Sequence, residues 1–242
     1  MDKELSVKDN IKHNFLTPSG YLFEEPSNLI KQECREPAHY NAIIKAIASG
    51  ASRLSDIAGK VGLETSLCAT FISKLTAIGI VKKEYPFQEE KSKRTIYRLN
   101  DGMFRFWYRF VPDVVSLITR GEVDLAYEMI EPQLPAFMGL VFEDICLEHL
   151  WKLNKARKTP FVFTDAGRWW GNDPKKREET EIDIIAAGKD LAIFAECKWT
   201  NEYLKKDVLE TLIYRSELFG YRHKYYYLFA KTGFDSSCTA RA

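Results

Sequence analysis

Three places in the C-terminal half carry side chains whose types and spacing could do chemistry. Glu143 stands inside the apolar run 137–150, Glu181-Ile182-Asp183-Ile184-Ile185 alternates acids with branched apolar residues, and Glu196-Cys197-Lys198 sets an acid and an ammonium two residues apart. Carboxylates that converge beside a lysine hold a hard divalent cation and steer a water at a phosphodiester. A small set of oxygen ligands selects Mg²⁺ or Mn²⁺. Zinc is disfavoured, because His13, His39, His149 and His223 show no metal-ligand spacing.

Two β-strands and a helix must position these groups. If Gly188 and Lys189 form the turn between strands over 181–187 and 191–199, Glu181 faces Glu196 and Asp183 faces Phe194. Opposed and alternating residues share a sheet face. Glu181, Asp183, Glu196 and Lys198 therefore point one way, and Ile182, Ile184, Ala195 and Cys197 point into the core. Crowding like charges on one face is unfavourable unless a cation or the lysine compensates, a local conflict of the kind found at functional sites. The competing reading is a solvated strand face on which Lys198 simply pairs with Glu196 or Asp183. Glu143 tilts the balance. Its helical neighbours are Gly139, Leu140, Cys146, Leu147 and Leu150, and a carboxylate on an apolar face is costly unless paired or metal-bound.

Around these segments the periodicity predicts a helix over 136–155, a strand over 159–164 continued by 168–170, a polar loop over 171–179, a helix over 201–219 and a strand over 225–229. Asp235-Ser236-Ser237 resembles a helix N-cap. The order is αβββαβ. Upstream, residues 37–100 read as three short helices and a two-stranded ribbon, the pattern of a winged helix-turn-helix. Its third helix exposes Thr65, Ser66, Thr70 and Lys74, and the loop of its ribbon carries Lys91, Lys93 and Arg94, groups suited to DNA phosphates. The other reading is a winged helix used for protein contacts. Lys205 and Lys206 are weaker candidates for substrate phosphates. The aromatic stretch 101–135 reads as a helical connector. Residues 1–36 are irregular, a linker or the tail of something larger. The fold class is thus mixed α/β, a winged helix followed by an αβββαβ domain at 136–242.

The bulk properties exclude little. The net charge of +1 leaves no global field to recruit nucleic acid, so DNA contact must come from local patches. Five dispersed cysteines without a CxxC pair, and a polar start lacking a secretory leader, imply reduced thiols in a cytoplasm. No apolar run reaches membrane-spanning length.

Glu143, Asp183 and Glu196-Cys197-Lys198, on helix, strand and strand, resemble the PD-(D/E)XK nuclease superfamily with its restriction-endonuclease-like fold. The resemblance implies that Asp183 and Glu196 bind metal, that Glu143 completes the cation shell and that Lys198 is the catalytic lysine. The proline that precedes the first acid in that motif is replaced by Ile182. Over nearly the whole chain, segments such as Glu24-Glu25-Pro26, Glu33-Cys34-Arg35-Glu36-Pro37, Arg105-Phe106-Trp107-Tyr108-Arg109-Phe110 and 195–199 resemble the C-terminal region of archaeal and bacterial DEXX-box ATPases of the AAA+ superfamily. There a P-loop ATPase domain precedes a winged helix and a nuclease-like domain, and residues 1–36 would be the last piece of the ATPase lid. Gly59-Lys60 is followed by Val61 and Gly188-Lys189 by Asp190, so these residues contain no P-loop. A separate P-loop subunit is the partner such a chain would take. A non-catalytic regulatory module of such an ATPase is the alternative function.

Overall fold

A computed structural model describes residues 2–239. The chain forms two units: Met1–Glu84 with Thr95–Pro132, and Tyr85–Arg94 with Gln133–Ala242.

In the first unit, α1 (Val7–Phe15) and α2 (Glu25–Glu33) precede α3 (Pro37–Ala48), α4 (Leu54–Val61) and α5 (Thr65–Ala77). A ribbon of β1 (Val81–Glu84) and β2 (Ile96–Leu99) follows, then α6 (Gly102–Thr119) and α7 (Val123–Ile130). Apolar residues at helical spacing give α3–α5 one shared core: Tyr40, Ile43, Ile44, Ile57, Cys68, Phe71, Ile72 and Leu75 pack with Val81 and Leu99 of the ribbon. The strands are antiparallel, with Val81 opposite Leu99 and Glu84 opposite Ile96. Gly62 ends α4 in the left-handed region, at φ 74°, which a side chain would strain.

The two flanking segments join this unit, where the sequence suggests separate pieces. Asp101 caps α6 by accepting the Met103 and Phe104 N–H groups at 2.8 and 3.1 Å. Phe104 and Tyr108 of α6 enter the α3–α5 core. Trp107 Nε1 donates to the Phe23 carbonyl at 2.6 Å, so residues of the 1–36 segment have a docking partner in the aromatic helix. Ser6 caps α1 through Asp9 N–H.

The second unit runs α8 (Leu134–Lys155), β3 (Asp165–Asp173), β4 (Glu178–Ala187), β5 (Leu191–Lys198), α9 (Lys206–Ser216), β6 (His223–Ala230) and α10 (Ser236–Thr239). The sheet order is β3-β4-β5-β6. The first two pairings are antiparallel and β5–β6 is parallel, with α9 as the crossover a parallel pair requires. Both faces are covered. Cys146 and Leu150 of α8 pack with Ile184, Ala186, Ile193, Ala195 and Cys197; Leu212 of α9 lies with Ile182, Ile185, Ala187, Ala192 and Phe194 on the other face.

Three expectations are corrected here. Residues 159–164 are not a strand. The buried Asn154 amide donates to the Phe163 carbonyl at 2.8 Å and accepts Phe163 N–H at 3.1 Å, satisfying that backbone without a neighbouring strand. The supposed polar loop 171–179 is mostly a hairpin: β3 continues to Asp173, whose carboxylate accepts the Lys175 and Lys176 N–H groups and closes the turn. The helix at 201–219 is shorter, because Leu204 pairs with Phe234 as an isolated bridge and α9 starts only at Lys206. Asp235 caps α10, accepting Cys238 N–H at 2.9 Å, as the sequence suggests.

The loop at 85–94, between the ribbon strands, packs on β3 of the second unit. Phe87 N–H donates to the Arg168 carbonyl at 2.7 Å, Trp169 Nε1 to Glu89 Oε1 at 3.0 Å and Trp170 Nε1 to the Arg94 carbonyl at 2.8 Å. A Cβ on Gly171 would collide with the Arg94 guanidinium and the Trp169 ring, so a side chain there requires both to shift. Phe87 is buried against Trp169 and Phe194. Truncating Phe87→Ala leaves a cavity and costs the second unit about 3 kcal/mol. Denaturant unfolding followed by tryptophan fluorescence checks this; a loss below about 1 kcal/mol would mean that the loop contributes little to the unit.

Candidate functional site

The site begins where the sheet departs from regularity. β3 pairs Gly167 with Ile185 and Trp169 with Ile182, so Asp183 and Ile184 together face Arg168 in a β-bulge. The β4–β5 ladder runs from Ala187↔Ala192 to Ile184↔Ala195. Gly188 N–H donates to the Leu191 carbonyl at 2.8 Å, which makes Lys189 and Asp190 the turn residues rather than Gly188 and Lys189. The expected pairings of Glu181 with Glu196 and Asp183 with Phe194 are thereby corrected by a shift of register. The bulge also sends Ile182 to the α9 face, whereas Ile184, Ala195 and Cys197 share the α8 face.

Beyond the ladder, the Asp183 side chain takes over the acceptor role of a backbone carbonyl. Its Oδ2 accepts Cys197 N–H at 2.7 Å. This bond sets Asp183 beside the β5 segment that carries Glu196 and Lys198. Asp183 and Glu196 are only 9% and 6% exposed, so the solvated-face reading does not hold. Glu181 is exposed.

Charges then organise around Glu196. Lys198 Nζ donates to Glu196 Oε1 at 2.5 Å. Glu196 Oε2 is buried and accepts no hydrogen bond among the described residues; Arg215 Nη1, from the last turn of α9, lies 3.5 Å away. Burial, then the charge of Glu196, pushes the Asp183 carboxyl up to about 7 against the pull of Cys197 N–H and Lys198. Burial works to lower the Lys198 ammonium, but the charge and hydrogen bond of Glu196 outweigh it and raise it. Cys197 is not a reactive partner: a hydrogen bond with the Cys146 thiol and burial both push its thiol up, and it points to the α8 face.

Glu143 sits on α8 with its Oε2 2.7 Å from the Arg168 guanidinium, which also reaches Asp144 at 3.2 Å. The structure thus brings Asp183, Glu196 and Lys198 together and pairs Glu143 with Arg168. Among the described residues, no group of three or more His, Cys, Asp or Glu is gathered to hold a metal ion. The Asp183–Glu196 pair still suits one. Two close carboxylates in a buried setting, one with an orphaned oxygen, attract a cation, and Mg²⁺ is commonly held by one or two carboxylates with waters and substrate phosphates.

The nucleic-acid candidates fall into two sets. Thr65, Ser66, Thr70 and Lys74 are exposed on α5 of the first unit, with Lys74 Nζ 5.5 Å over the Tyr40 ring. Lys91, Lys93 and Arg94 belong to the second unit. Lys91, Lys93 and Arg94 are exposed, and Arg94 pairs with Glu89. Lys206 is exposed and pairs with Glu210 along α9. Sequence reasoning missed Arg215. Its signal is a cation three residues from Leu212, on the otherwise apolar side of α9 that also buries Leu209 and Ser216.

The raised Asp183 has a consequence for stability. The folded state keeps a proton that an unfolded aspartate, with a pKa near 4, gives up. Folded protein therefore binds more protons between about pH 4 and about 7, and stability falls as pH rises through that window. Asp183→Asn removes this component, so the wild-type-minus-variant difference in unfolding free energy should decline from pH 4 to 7 in urea titrations without metal. A difference flat across that range would contradict the assignment.

Comparison with known proteins gives relatives without an assigned activity. The uncharacterized protein MJECL04 of Methanocaldococcus jannaschii is 31% identical over 240 residues, covering 96% of this chain and 50% of that protein. The chain thus spans about half the length of this curated relative. A crystal structure of NadR in complex with 4-hydroxyphenylacetate matches with 18% identity over 56% of this chain and 91% of that one, at a TM-score of 0.27. Residues 107–211 match the DUF234 family, described as archaeal and bacterial proteins of unknown function.

Proposed function

We propose that the second unit is a PD-(D/E)XK-type, restriction-endonuclease-like domain that hydrolyses phosphodiesters with Mg²⁺ or Mn²⁺, and that α3–α5 with the β1–β2 ribbon act as a winged helix that holds DNA. The observation that carries this reading is the buried Asp183–Glu196 pair on adjacent strands with Lys198 Nζ on Glu196 Oε1. The order α8-β3-β4-β5-α9-β6 supports it, since it places these acids on the second and third strands of an αβββαβ unit. A cation held by Asp183 and Glu196 would supply charge neutralisation and a water of lowered pKa.

The protein's own groups do the rest. Asp183 is held by Cys197 N–H at 2.7 Å, which favours one orientation of its carboxylate. Lys198 is about half exposed and meets both the buried acid and solvent, the position needed to orient an attacking water and to stabilise charge on the phosphoryl oxygens. Exposed Thr65, Ser66, Thr70 and Lys74 of α5 offer hydroxyl and ammonium donors to a DNA backbone, and Lys91 and Lys93 offer two more cations.

The wider setting belongs to the same proposal. The chain resembles the C-terminal part of a DEXX-box AAA+ ATPase, and about half of its curated relative lies outside the matched region. A separate P-loop subunit is then a natural partner. Cytoplasmic residence fits five buried cysteines that form no disulfide. Among the described residues, no helix is long and apolar enough to cross a membrane. A second reading, a non-catalytic DNA- or protein-binding module of such an ATPase, draws on the Arg168–Glu143 ion pair and on the lack of a three-ligand group among the described residues.

Duplex, nicked and single-stranded DNA incubated with Mn²⁺, Mg²⁺ or EDTA decides between the two. The wild type should cut only with a divalent cation, and Lys198→Ala should slow cutting by about a hundredfold or more with an unchanged thermal melt. A variant that cuts at the wild-type rate removes the lysine from catalysis. DNA binding with no cation-dependent cutting supports the non-catalytic module.

A further inference from the structure

One charged side chain at this site has no part in the motif that suggested it. Arg215 reaches in from α9 and is about three-quarters buried. Its guanidinium stops 3.5 Å from the orphaned Oε2 of Glu196, too far for a hydrogen bond. It also lies close enough to Lys198 for their charges to repel. Arginine–carboxylate pairs frequently close as a bidentate fork on both oxygens. Here Lys198 already occupies Oε1, and Arg215 meets Glu196 by charge alone. Five N–H donors in a planar fork are a large capacity to keep beside an acid that does not use it.

We propose that Arg215 is a substrate-positioning residue of this site, its guanidinium taking two non-bridging oxygens of the DNA phosphodiester when Glu196 is committed to a divalent cation. The inference rests on the reading of Asp183 and Glu196 as cation ligands and adds the group that receives the phosphate. Fork-to-phosphate geometry is one that arginine provides and lysine does not. Its place in the last turn of α9 favours a cation there even before substrate arrives. Glu196 thus alternates between two uses: it holds the guanidinium near the site when no metal is bound, and it leaves the fork to the phosphate when one is. Affinity for DNA and affinity for the cation are thereby coupled, because a cation at Glu196 frees Arg215 for the phosphate.

The test separates binding from cutting. Affinity for a short duplex is measured for the full chain in Ca²⁺ and in EDTA, with Mn²⁺ binding followed in parallel by electron paramagnetic resonance. The wild type should bind the duplex more tightly in Ca²⁺ than in EDTA. Arg215→Ala should shrink that ratio about tenfold or more while still binding Mn²⁺, and Arg215→Lys, which keeps the charge without the fork, should restore it only in part. Arg215→Lys also carries the test should the alanine variant fail to fold. A wild type with no Ca²⁺ increment, a ratio unchanged in Arg215→Ala, or full rescue by lysine would overturn the inference. A preserved increment in a wild type that never cuts DNA would instead sink the nuclease reading and leave the phosphate clamp standing.

Discussion

Two carboxylates held side by side away from water are the constraint around which the second unit is arranged. Asp183 and Glu196 repel, and burial sharpens the repulsion by removing the solvent that would screen it. A sheet of ordinary register would not tolerate this. The bulge at Asp183–Ile184 lets the aspartate bond to Cys197 N–H, Lys198 covers one oxygen of Glu196, and Arg215 stands off the other. Each of these features is intelligible only with the pair in place. None removes the residual excess of acceptor capacity at Glu196 Oε2, which is the chemical opening a cation would use.

The supports of that pair come from opposite faces of one sheet. α8 covers the face that takes Ile184, Ala195 and Cys197, and α9 covers the face that takes Phe194 and presents Arg215. Arg168 on β3 anchors Glu143 and Asp144 of α8, so the helix acid is engaged by a permanent cation from the sheet. Polar groups held by packed elements on both sides are kept in fixed geometry, the condition under which charge stabilises a reaction without reorganisation.

Much of this was legible in the sequence. Apolar runs flanked by polar turns mark β4 and β5, the helical spacing of Tyr40, Ile43, Ile44 and Ile47 marks α3, and both strands carry the acids and the lysine at Asp183, Glu196 and Lys198. What escaped has physical causes. A turn over Gly188-Lys189 and one over Lys189-Asp190 are close in local propensity, and the choice moves the register by two residues while leaving the faces unchanged. A bulge leaves no mark in period-two counting, so Ile182 was assigned to the wrong face. Residues 159–164 have strand-forming composition, yet Asn154 satisfies their backbone instead. The lysines of loop 85–94 are exposed, while Phe87 and Glu89 bond to β3 across a separation no local pattern reveals. Arg168 and Arg215 gain meaning only from partners distant in sequence.

Whether the acid pair holds a divalent cation is the point on which the rest turns, and Mn²⁺ binding to the full chain, read by electron paramagnetic resonance, tests it without relying on any reaction. Wild-type protein should take up one Mn²⁺ displaceable by Mg²⁺, and Glu196→Gln should weaken that binding severely while the fold persists. Wild-type protein that binds no Mn²⁺, or a glutamine variant that binds it equally well, would contradict the account.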